Sequence, residues 1–495
     1  MELKTLTNFS SEEILKGSFG IEWESLRVNG NGELSLTPHP EIFGDKLKNP
    51  VITTDFSESQ IEMITPTLDT IDEAVDTFSL LADLVNSSLD SDEYLWFQSL
   101  PCILPYWDKI PIAQYSENGK ASQKYREDLA KKYGVKKQMI SGVHFNFSFS
   151  DEFLEKLRKL THENLSIKEF KNIVYLKIAR NYIRYCWLII YLTGCSIAAH
   201  KSFSNECIHL MDGYDNRGSY YSTKGPSYRN SSCGYKNLKN LFPSYDSVDE
   251  FTCDVQEFID RGDLSEAKEL YTQIRLKPKH PEDMLNSLRK DGIEYVEIRS
   301  LDINPFYKSG LVKHDMKFLH LFLIYMLLKN EPDYPDWQME AKINEEKAAE
   351  MAYVDSMRLL RNGSEVTLKS WAADIINEMY GMCEVLGINE QQTLELILLR
   401  IKDSNLTYGK RLLQLIKNNG FINIHMEFSK VNKQTSIDFL KKADAKDCAK
   451  LKKYVDLALK FRWKNYIVYI FLLFELFCNK TFCALFFYLK VLEAF

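Results

Sequence analysis

The chain has 495 residues, of which 45% are hydrophobic, 26% charged and 13% aromatic. This balance excludes a disordered, collagen-like or disulfide-scaffold protein and predicts a globular one. The formal net charge of −7, from 62 basic and 69 acidic residues, argues against non-specific binding to nucleic acid or anionic membranes. The ten cysteines match neither zinc-finger nor redox-motif spacing, so we expect reduced thiols and a cytoplasmic protein.

Helix signals appear early along the chain. Capping boxes at Ser10–Glu13 and Thr70–Glu73 predict two helix starts. Residues 185–199 carry no charge, and because a membrane span needs about 20 such residues, this run predicts a buried core helix. From about residue 340 the pattern is almost wholly helical, with a charged face at residues 345–347. Strands alternate with the earlier helices.

The last 32 residues differ in composition from the rest of the chain. Residues 464–495 are strongly apolar, but a single membrane span would place Glu475, Asn479 and Lys480 near the bilayer centre. A membrane role is therefore disfavoured, and the alternatives are a helix packed on the body or an aberrant tail. We predict a catalytic domain with a helical C-terminal elaboration over residues 1–463, followed by this atypical hydrophobic tail.

Four short segments alternate apolar and polar residues, as half-buried strands do. They are residues 20–24, 60–65, 142–149 and 295–299. Each alone is typical of a strand with one solvated face. Together they place several carboxylates on neighbouring strands, where these groups repel one another unless cations lie between them. Oxygen ligands with one imidazole suit Mg²⁺, with Mn²⁺ as an alternative.

Basic residues follow a similar alternation in residues 271–277, which predicts either a phosphate-binding face or a basic edge strand. The turn-rich loop over residues 224–236 contains Arg229, whose planar guanidinium could bind a substrate carboxylate. A plain surface loop is the alternative. The chain contains neither a Walker motif nor a G-x-G-x-x-G motif, so metal and basic side chains must hold any nucleotide.

These segments resemble the bacterial glutamate-cysteine ligases, including the amino-terminal half of fused glutathione synthetases. The resemblance covers residues 17 to 310. It implies an α+β fold, with a cup-shaped antiparallel sheet of the glutamine-synthetase-like ligase superfamily, helices outside and Mg²⁺ ions in the cup. The motifs that carry it are residues 20–24, 55–62, 141–147, 225–229 with Gly234-Tyr235, and 292–306.

The resemblance also implies a role for particular residues. The implied metal ligands are Glu22, Glu24, Asp55, Glu62, His144 and Glu297. The implied catalytic residues beside the transferred phosphoryl group are Arg299 and Glu297. The implied glutamate-binding residues are Gln138, Asn146 and Arg229. The implied wall of the cysteine pocket is Phe56, Tyr125, Tyr235 and Tyr271, and the implied nucleotide-binding residues are Arg275 and Lys277.

The implied activity is ATP-dependent ligation of the γ-carboxylate of L-glutamate to the amine of L-cysteine, through a γ-glutamyl phosphate. This reaction is the first step of glutathione biosynthesis, with ATP as co-substrate. We expect the dipeptide as the final product, because the residues after the helical region are too few for a second ATP-binding domain. Two alternatives remain open: a related ligase that uses another amine, and a non-catalytic homologue that binds metal or nucleotide.

Overall fold

The computed structural model describes residues 2–203 and 208–442, so the predicted hydrophobic tail lies outside the described residues. The helices are α1 Leu3–Leu6, α2 Ser11–Leu15, α3 Ile71–Ser88, α4 Lys120–Tyr133, α5 Asp151–Thr161, α6 Ile167–Thr193, α7 Val248–Asp260, α8 Met284–Asp291, α9 Lys313–Leu328, α10 Trp337–Met351, α11 Leu368–Leu386, α12 Gln391–Lys402, α13 Tyr408–Asn419 and α14 Phe421–Lys442. The strands are β1 Gly17–Asn29, β2 Ile52–Thr54, β3 Gln60–Ile64, β4 Glu93–Leu95, β5 Val143–Phe149, β6 Ala198–His200, β7 Gly213–Tyr214, β8 Ser219–Tyr221, β9 Ile274–Lys277, β10 Tyr295–Leu301, β11 Arg358–Arg361 and β12 Ser364–Thr367.

The main sheet is antiparallel and has seven strands. Six follow the order β2-β3-β1-β5-β10-β9, and β4 pairs with the end of β1. Glu22 lies opposite His144, and Glu24 lies opposite Glu62. Glu297 on β10 lies opposite Asn146 on β5. Since alternate residues of a strand point to opposite faces, this register brings the polar side chains of β1, β3, β5 and β10 to one face.

The other face of the sheet is apolar and is covered by helices. Trp23, Phe145 and Phe147 are fully buried there. The Trp23 ring lies 6.0 Å from the ring of Phe78 on α3, and His320 on α9 lies 5.0 Å from Phe147. Burying each large apolar side chain contributes roughly 1.5–3 kcal/mol, so this packing fixes the sheet and leaves its polar face for ligands.

The structure confirms the capping box at Ser10–Glu13, and Thr70 caps α3 by accepting from the Glu73 N–H. The predicted core helix over residues 185–199 is right as far as Thr193, where α6 ends. Beyond that point the prediction is wrong, because Asp302 accepts hydrogen bonds from the N–H groups of residues 195 and 196 and the chain turns into β6. No helix of the described chain is long and apolar enough to cross a membrane.

The predicted helical region after residue 340 contains α10 to α14, and also a hairpin of β11 and β12 that the pattern analysis did not identify. Its turn is Asn362-Gly363, with φ of 52° and 77°. Asparagine followed by glycine is the strongest short hairpin signal, because both residues tolerate positive φ. The signal was therefore present in the sequence.

Among the cysteines that the structure describes, one departs from the expectation. The thiols of Cys102, Cys186, Cys195 and Cys383 are buried and free, and that of Cys253 is exposed and free. Cys233 is disulfide-bonded, so the expectation of reduced thiols is wrong there. A disulfide requires two sulfurs close together in the fold, which spacing along the sequence does not report.

Candidate active site

A cluster of carboxylates around one imidazole occupies the polar face of the sheet. His144 Nδ1 lies 3.3 Å from Glu22 Oε2 and 3.8 Å from Glu297 Oε1. Its Nε2 lies 3.7 Å from Glu24 Oε1. One ligand atom each from Glu22, His144 and Glu297 lie within 4.8 Å of one another. Three neighbouring strands thus bring together residues that the sequence separates by more than 100 positions.

The chemistry of His144 fits a metal ligand. Burial and the nearby Arg299 lower the pKa of the imidazole to about 4, so the ring is neutral at physiological pH. Its Nε2 is buried and has no hydrogen-bond partner in the described part of the chain. A neutral imidazole with a free nitrogen, among carboxylate oxygens, is a donor set that suits a hard divalent cation.

Beside this cluster, three carboxylates repel one another, and the nearby arginines do not offset this repulsion and the effect of burial. Burial, and then repulsion from Asp55, raises the pKa of Glu24 to about 8. The pKa of Glu62 is raised well above its ordinary value by burial and by Asp55, Glu22 and Glu24. The pKa of Asp55 is raised mainly by burial. Such groups bind protons or cations in preference to remaining as unpaired anions.

Positive charge surrounds the next carboxylate along the sheet. Lys277 Nζ donates to Glu297 Oε2 at 2.6 Å, and Arg275 Nη1 lies 3.6 Å from Glu297 Oε1. Arg299 also forms an ion pair with Glu297. Although burial opposes it, the three cations hold the pKa of Glu297 well below its usual range. The predicted nucleotide-binding residues Arg275 and Lys277 therefore lie beside the predicted catalytic pair.

The predicted glutamate-binding residues reach the same face from three directions. Arg229 Nη1 donates to the backbone carbonyl of Arg299 at 2.7 Å. Asn146 Nδ2 donates to Glu22 Oε1 at 2.8 Å, which ties it to the carboxylate cluster. Gln138 Oε1 accepts from the hydroxyl of Tyr235 at 2.7 Å, so Gln138 contacts the aromatic wall.

Two tyrosines form one side of a cavity of about 250 Å³ that Arg229 and Arg299 also line. The hydroxyls of Tyr235 and Tyr271 are 3.0 Å apart and their ring centroids 4.5 Å apart. Tyr125 lies nearby, with Lys268 Nζ 4.0 Å from its ring centroid. Phe56 is instead buried within a hydrophobic cluster, so the structure does not place its ring on this cavity wall.

Pattern analysis did not identify two contributors to the site. Arg126 on α4 donates to the backbone carbonyls of Asp55 and Thr54, which fixes the loop before β3. Glu345 on α10 accepts from Gln273 Nε2 at 2.8 Å and lies 2.6 Å from Lys236 Nζ. Glu345 belongs to a charged helix face, and in sequence such a face looks like an ordinary solvent-exposed one. The sequence therefore gives no signal that Glu345 contacts Gln273 and Lys236.

Comparisons with known proteins agree with this geometry. The family model described as Glutamate-cysteine ligase matches residues 3–265 and 262–349. The glutathione biosynthesis bifunctional protein of Clostridium perfringens is 40% identical over 437 residues, covering 86% of this chain and 55% of the relative. The glutamate–cysteine ligase of Clostridium acetobutylicum is 34% identical over 411 residues, covering 75% of this chain and 85% of the relative. The chain thus spans about half the length of the bifunctional relative.

Two solved structures are similar. The glutamate–cysteine ligase from Francisella tularensis, in complex with AMP, aligns with a TM-score of 0.82 and 26% identity over 90% of this chain and 93% of that chain. A bifunctional glutathione synthetase from Pasteurella multocida aligns with a TM-score of 0.78 and 26% identity over 92% of this chain and 57% of that chain. The predicted antiparallel sheet with surrounding helices is confirmed.

Proposed function

The chain belongs to the glutamate-cysteine ligase family, and from this premise we propose that it joins the side-chain carboxylate of L-glutamate to the amine of L-cysteine, consuming ATP. The observation that carries the proposal is one polar sheet face on which Glu22, His144 and Glu297 meet beside Arg299. Such a face offers oxygen and imidazole ligands for cations and a permanent positive charge for phosphate.

Mg²⁺ is the proposed metal, with Mn²⁺ as an alternative, and the donor set described above fits either. Glu22, His144 and Glu297 would hold one ion, and the raised pKa values of the three crowded carboxylates mark a second place for cations. When bound, Mg²⁺ supplies positive charge that neutralises the phosphate oxygens of ATP. The crowded carboxylates are Glu24, Asp55 and Glu62.

Activation of glutamate is required because a free carboxylate is a poor acyl donor at neutral pH. Transfer of the terminal phosphoryl group of ATP to the glutamate side chain gives a γ-glutamyl phosphate and ADP. Arg299 is proposed to stabilise the charge on that group, held in place by its ion pair with Glu297. Arg275 and Lys277 lie on the same side and are proposed to orient the phosphates.

Substrate binding is assigned to the residues around the cavity. Arg229 is proposed to bind a glutamate carboxylate, because a guanidinium matches a carboxylate with two parallel hydrogen bonds. Tyr235 and Tyr271, which line this cavity, are proposed to form the pocket for cysteine, and Tyr125 is proposed as a further member of its wall. The cysteine amine then attacks the acyl phosphate, phosphate leaves, and the product is γ-glutamylcysteine.

The direct test is a coupled assay of ADP release by the full chain, with glutamate, cysteine or Mg²⁺ omitted in turn and the product identified by mass spectrometry. We expect ADP release only in the complete mixture. Arg299→Lys, which keeps the charge but loses the planar fork, is the matched control against contaminating ATPase, and we expect it to reduce turnover strongly. Release with another amine but not cysteine, or none with any amine, would overturn the proposal.

A further inference from the structure

Helix α10 supports the loop of residues 224–237 that carries Arg229 and Tyr235. The backbone carbonyl of Ala349 accepts from the N–H of Ser227 at 3.1 Å, and Glu350 Oε1 accepts from the N–H of Ser232 at 2.8 Å. The helix therefore supports the loop at two points. Side chains of the same helix also line the cavity.

One carboxylate oxygen of this helix bridges two parts of the site. Glu345 Oε1 lies 2.6 Å from Lys236 Nζ and accepts from Gln273 Nε2 at 2.8 Å. Lys236 directly follows Tyr235, and Gln273 is two residues after Tyr271. A single atom of Glu345 therefore links the two segments that present the tyrosine pair.

The Glu345 bridge is also connected to strand β10, which carries Arg299. The backbone carbonyl of Gln273 accepts from the N–H of Arg299 at 3.0 Å. The side chains of Glu345 and Lys236 are only 12% and 18% exposed, so their attraction is less screened than at the surface. Despite burial, Glu345 and then Glu346 raise the pKa of the Lys236 amine above its ordinary value.

We infer that Glu345 is a positioning residue that sets the separation of Tyr235 and Tyr271 and thereby the fit of the amine substrate. This inference rests on the proposed function, in which the two tyrosines form the amine pocket. Loss of the bridge removes one link between the loop and the segment before β9, while the hydrogen bond from the Tyr271 N–H to Asn237 Oδ1 remains, so the pocket loosens and widens. Binding of cysteine weakens, while the ATP site near Lys277 keeps its own contacts.

The test compares Glu345→Gln with Glu346→Gln in steady-state assays on the full chain. Glu346 is adjacent, has the same charge and lies 3.4 Å from Lys236 Nζ. Within the described residues Gln273 hydrogen-bonds Glu345 and not Glu346. We expect Glu345→Gln to raise the KM for cysteine roughly tenfold, as the loss of one charge-assisted hydrogen bond would. The KM for ATP should stay within about twofold, and Glu346→Gln should leave both near wild type.

Two further variants distinguish a positioning role of Glu345 from a general role in the fold. Gln273→Leu removes only the link to the segment before β9 and should also raise the KM for cysteine, whereas Glu345→Asp should partly restore it. Equal changes in the KM values for cysteine and ATP, or equal effects of Glu345→Gln and Glu346→Gln, would show that Glu345 only supports the fold.

Failure of the proposed function has a different signature. If the wild-type chain released no ADP with any amine, calorimetric titration of cysteine into the protein with Mg²⁺ and ADP would still test the inference. Weaker binding of cysteine to Glu345→Gln than to Glu346→Gln would support the positioning role of Glu345. Equal binding to both variants would overturn it.

Discussion

The two halves of the polar sheet face contain the same type of acidic side chain in opposite electrostatic states. In one half, burial and mutual repulsion raise the pKa values of three carboxylates, those of Glu24 on β1, Glu62 on β3 and Asp55 in the loop before β3. In the half formed by β9 and β10, three cations hold the pKa of Glu297 well below its usual range. We call these the acidic half and the basic half. Their members are Glu24, Asp55 and Glu62, and Arg275, Lys277, Glu297 and Arg299, respectively.

The difference teaches that neighbours, rather than residue type, decide what a glutamate does in this sheet. In the acidic half, nearby arginines do not compensate for burial and repulsion, so the pKa values stay raised and the half favours bound cations. The basic half has a surplus of positive charge after Glu297 is paired, and therefore favours an anion such as phosphate. β5 lies between the halves and presents the neutral side chains of His144 and Asn146.

The largest expected effect is that of Glu297→Gln. The substitution leaves three partly buried cations without their shared carboxylate, so we expect the free energy of unfolding to fall by about 3–5 kcal/mol and ligation to be abolished. Urea unfolding in the presence of a chelator measures the first change, and ADP release the second. Unchanged stability would contradict the description of a basic half organised around Glu297.

Glu62→Gln should change activity and stability in opposite directions. We expect turnover to fall by roughly a thousandfold, because a cation ligand is lost. In chelator, the melting temperature should rise, because one of several mutually repelling carboxylates becomes neutral. Glu297→Gln and Glu62→Gln should therefore have opposite effects on stability. A lower melting temperature for Glu62→Gln would contradict the distinction between the acidic and the basic half.

Lys277→Met should have a smaller effect, confined to the nucleotide. We expect the KM for ATP to rise about tenfold, equivalent to about 1.4 kcal/mol, while the KM for glutamate stays near wild type. Lys279→Met is the matched control, because Lys279 is exposed and lies two residues further along the chain. An effect on glutamate rather than on ATP would place Lys277 outside the phosphate site.

The acidic half should also show a pH dependence. The pKa of Glu24 is about 8 in the folded protein against an ordinary value of 4.5, so the folded state retains a proton that the unfolded state loses. Stability of the metal-free protein should therefore fall as pH rises between these values.

A cation that binds Glu24 must displace this proton, so its apparent affinity should rise by up to about tenfold per pH unit until about pH 8. Melting curves with and without Mg²⁺ at pH 6, 7 and 8 test this, and we expect the stabilisation by Mg²⁺ to grow with pH. Greater stabilisation at pH 6 than at pH 8 would contradict the raised pKa.

The strands of the site could be predicted from the sequence, because their side chains alternate with a period of two. That alternation identified the segments around Glu22, Glu62, His144 and Glu297. It also indicated which face carries the polar residues. The alternation could not predict the register between strands, which brings Glu22 opposite His144. The family resemblance supplied that grouping.

The remaining features depend on contacts between residues distant in sequence. The end of α6 at Thr193 depends on Asp302, and the support of the loop before β3 depends on Arg126. The bridge through Glu345 likewise joins three separate segments. Local patterns report the periodicity of a single element, so they contain no information about such partners.

Gly142 has a consequence for mutagenesis around the proposed substrate site. The guanidinium of Arg229 occupies the space in which a side chain at residue 142 would begin. Every other amino acid would displace Arg229, whatever its size or polarity. We therefore expect libraries that randomise residue 142 to yield inactive variants, whereas Tyr235 and Tyr271, which line the cavity with Arg229, are better positions to vary.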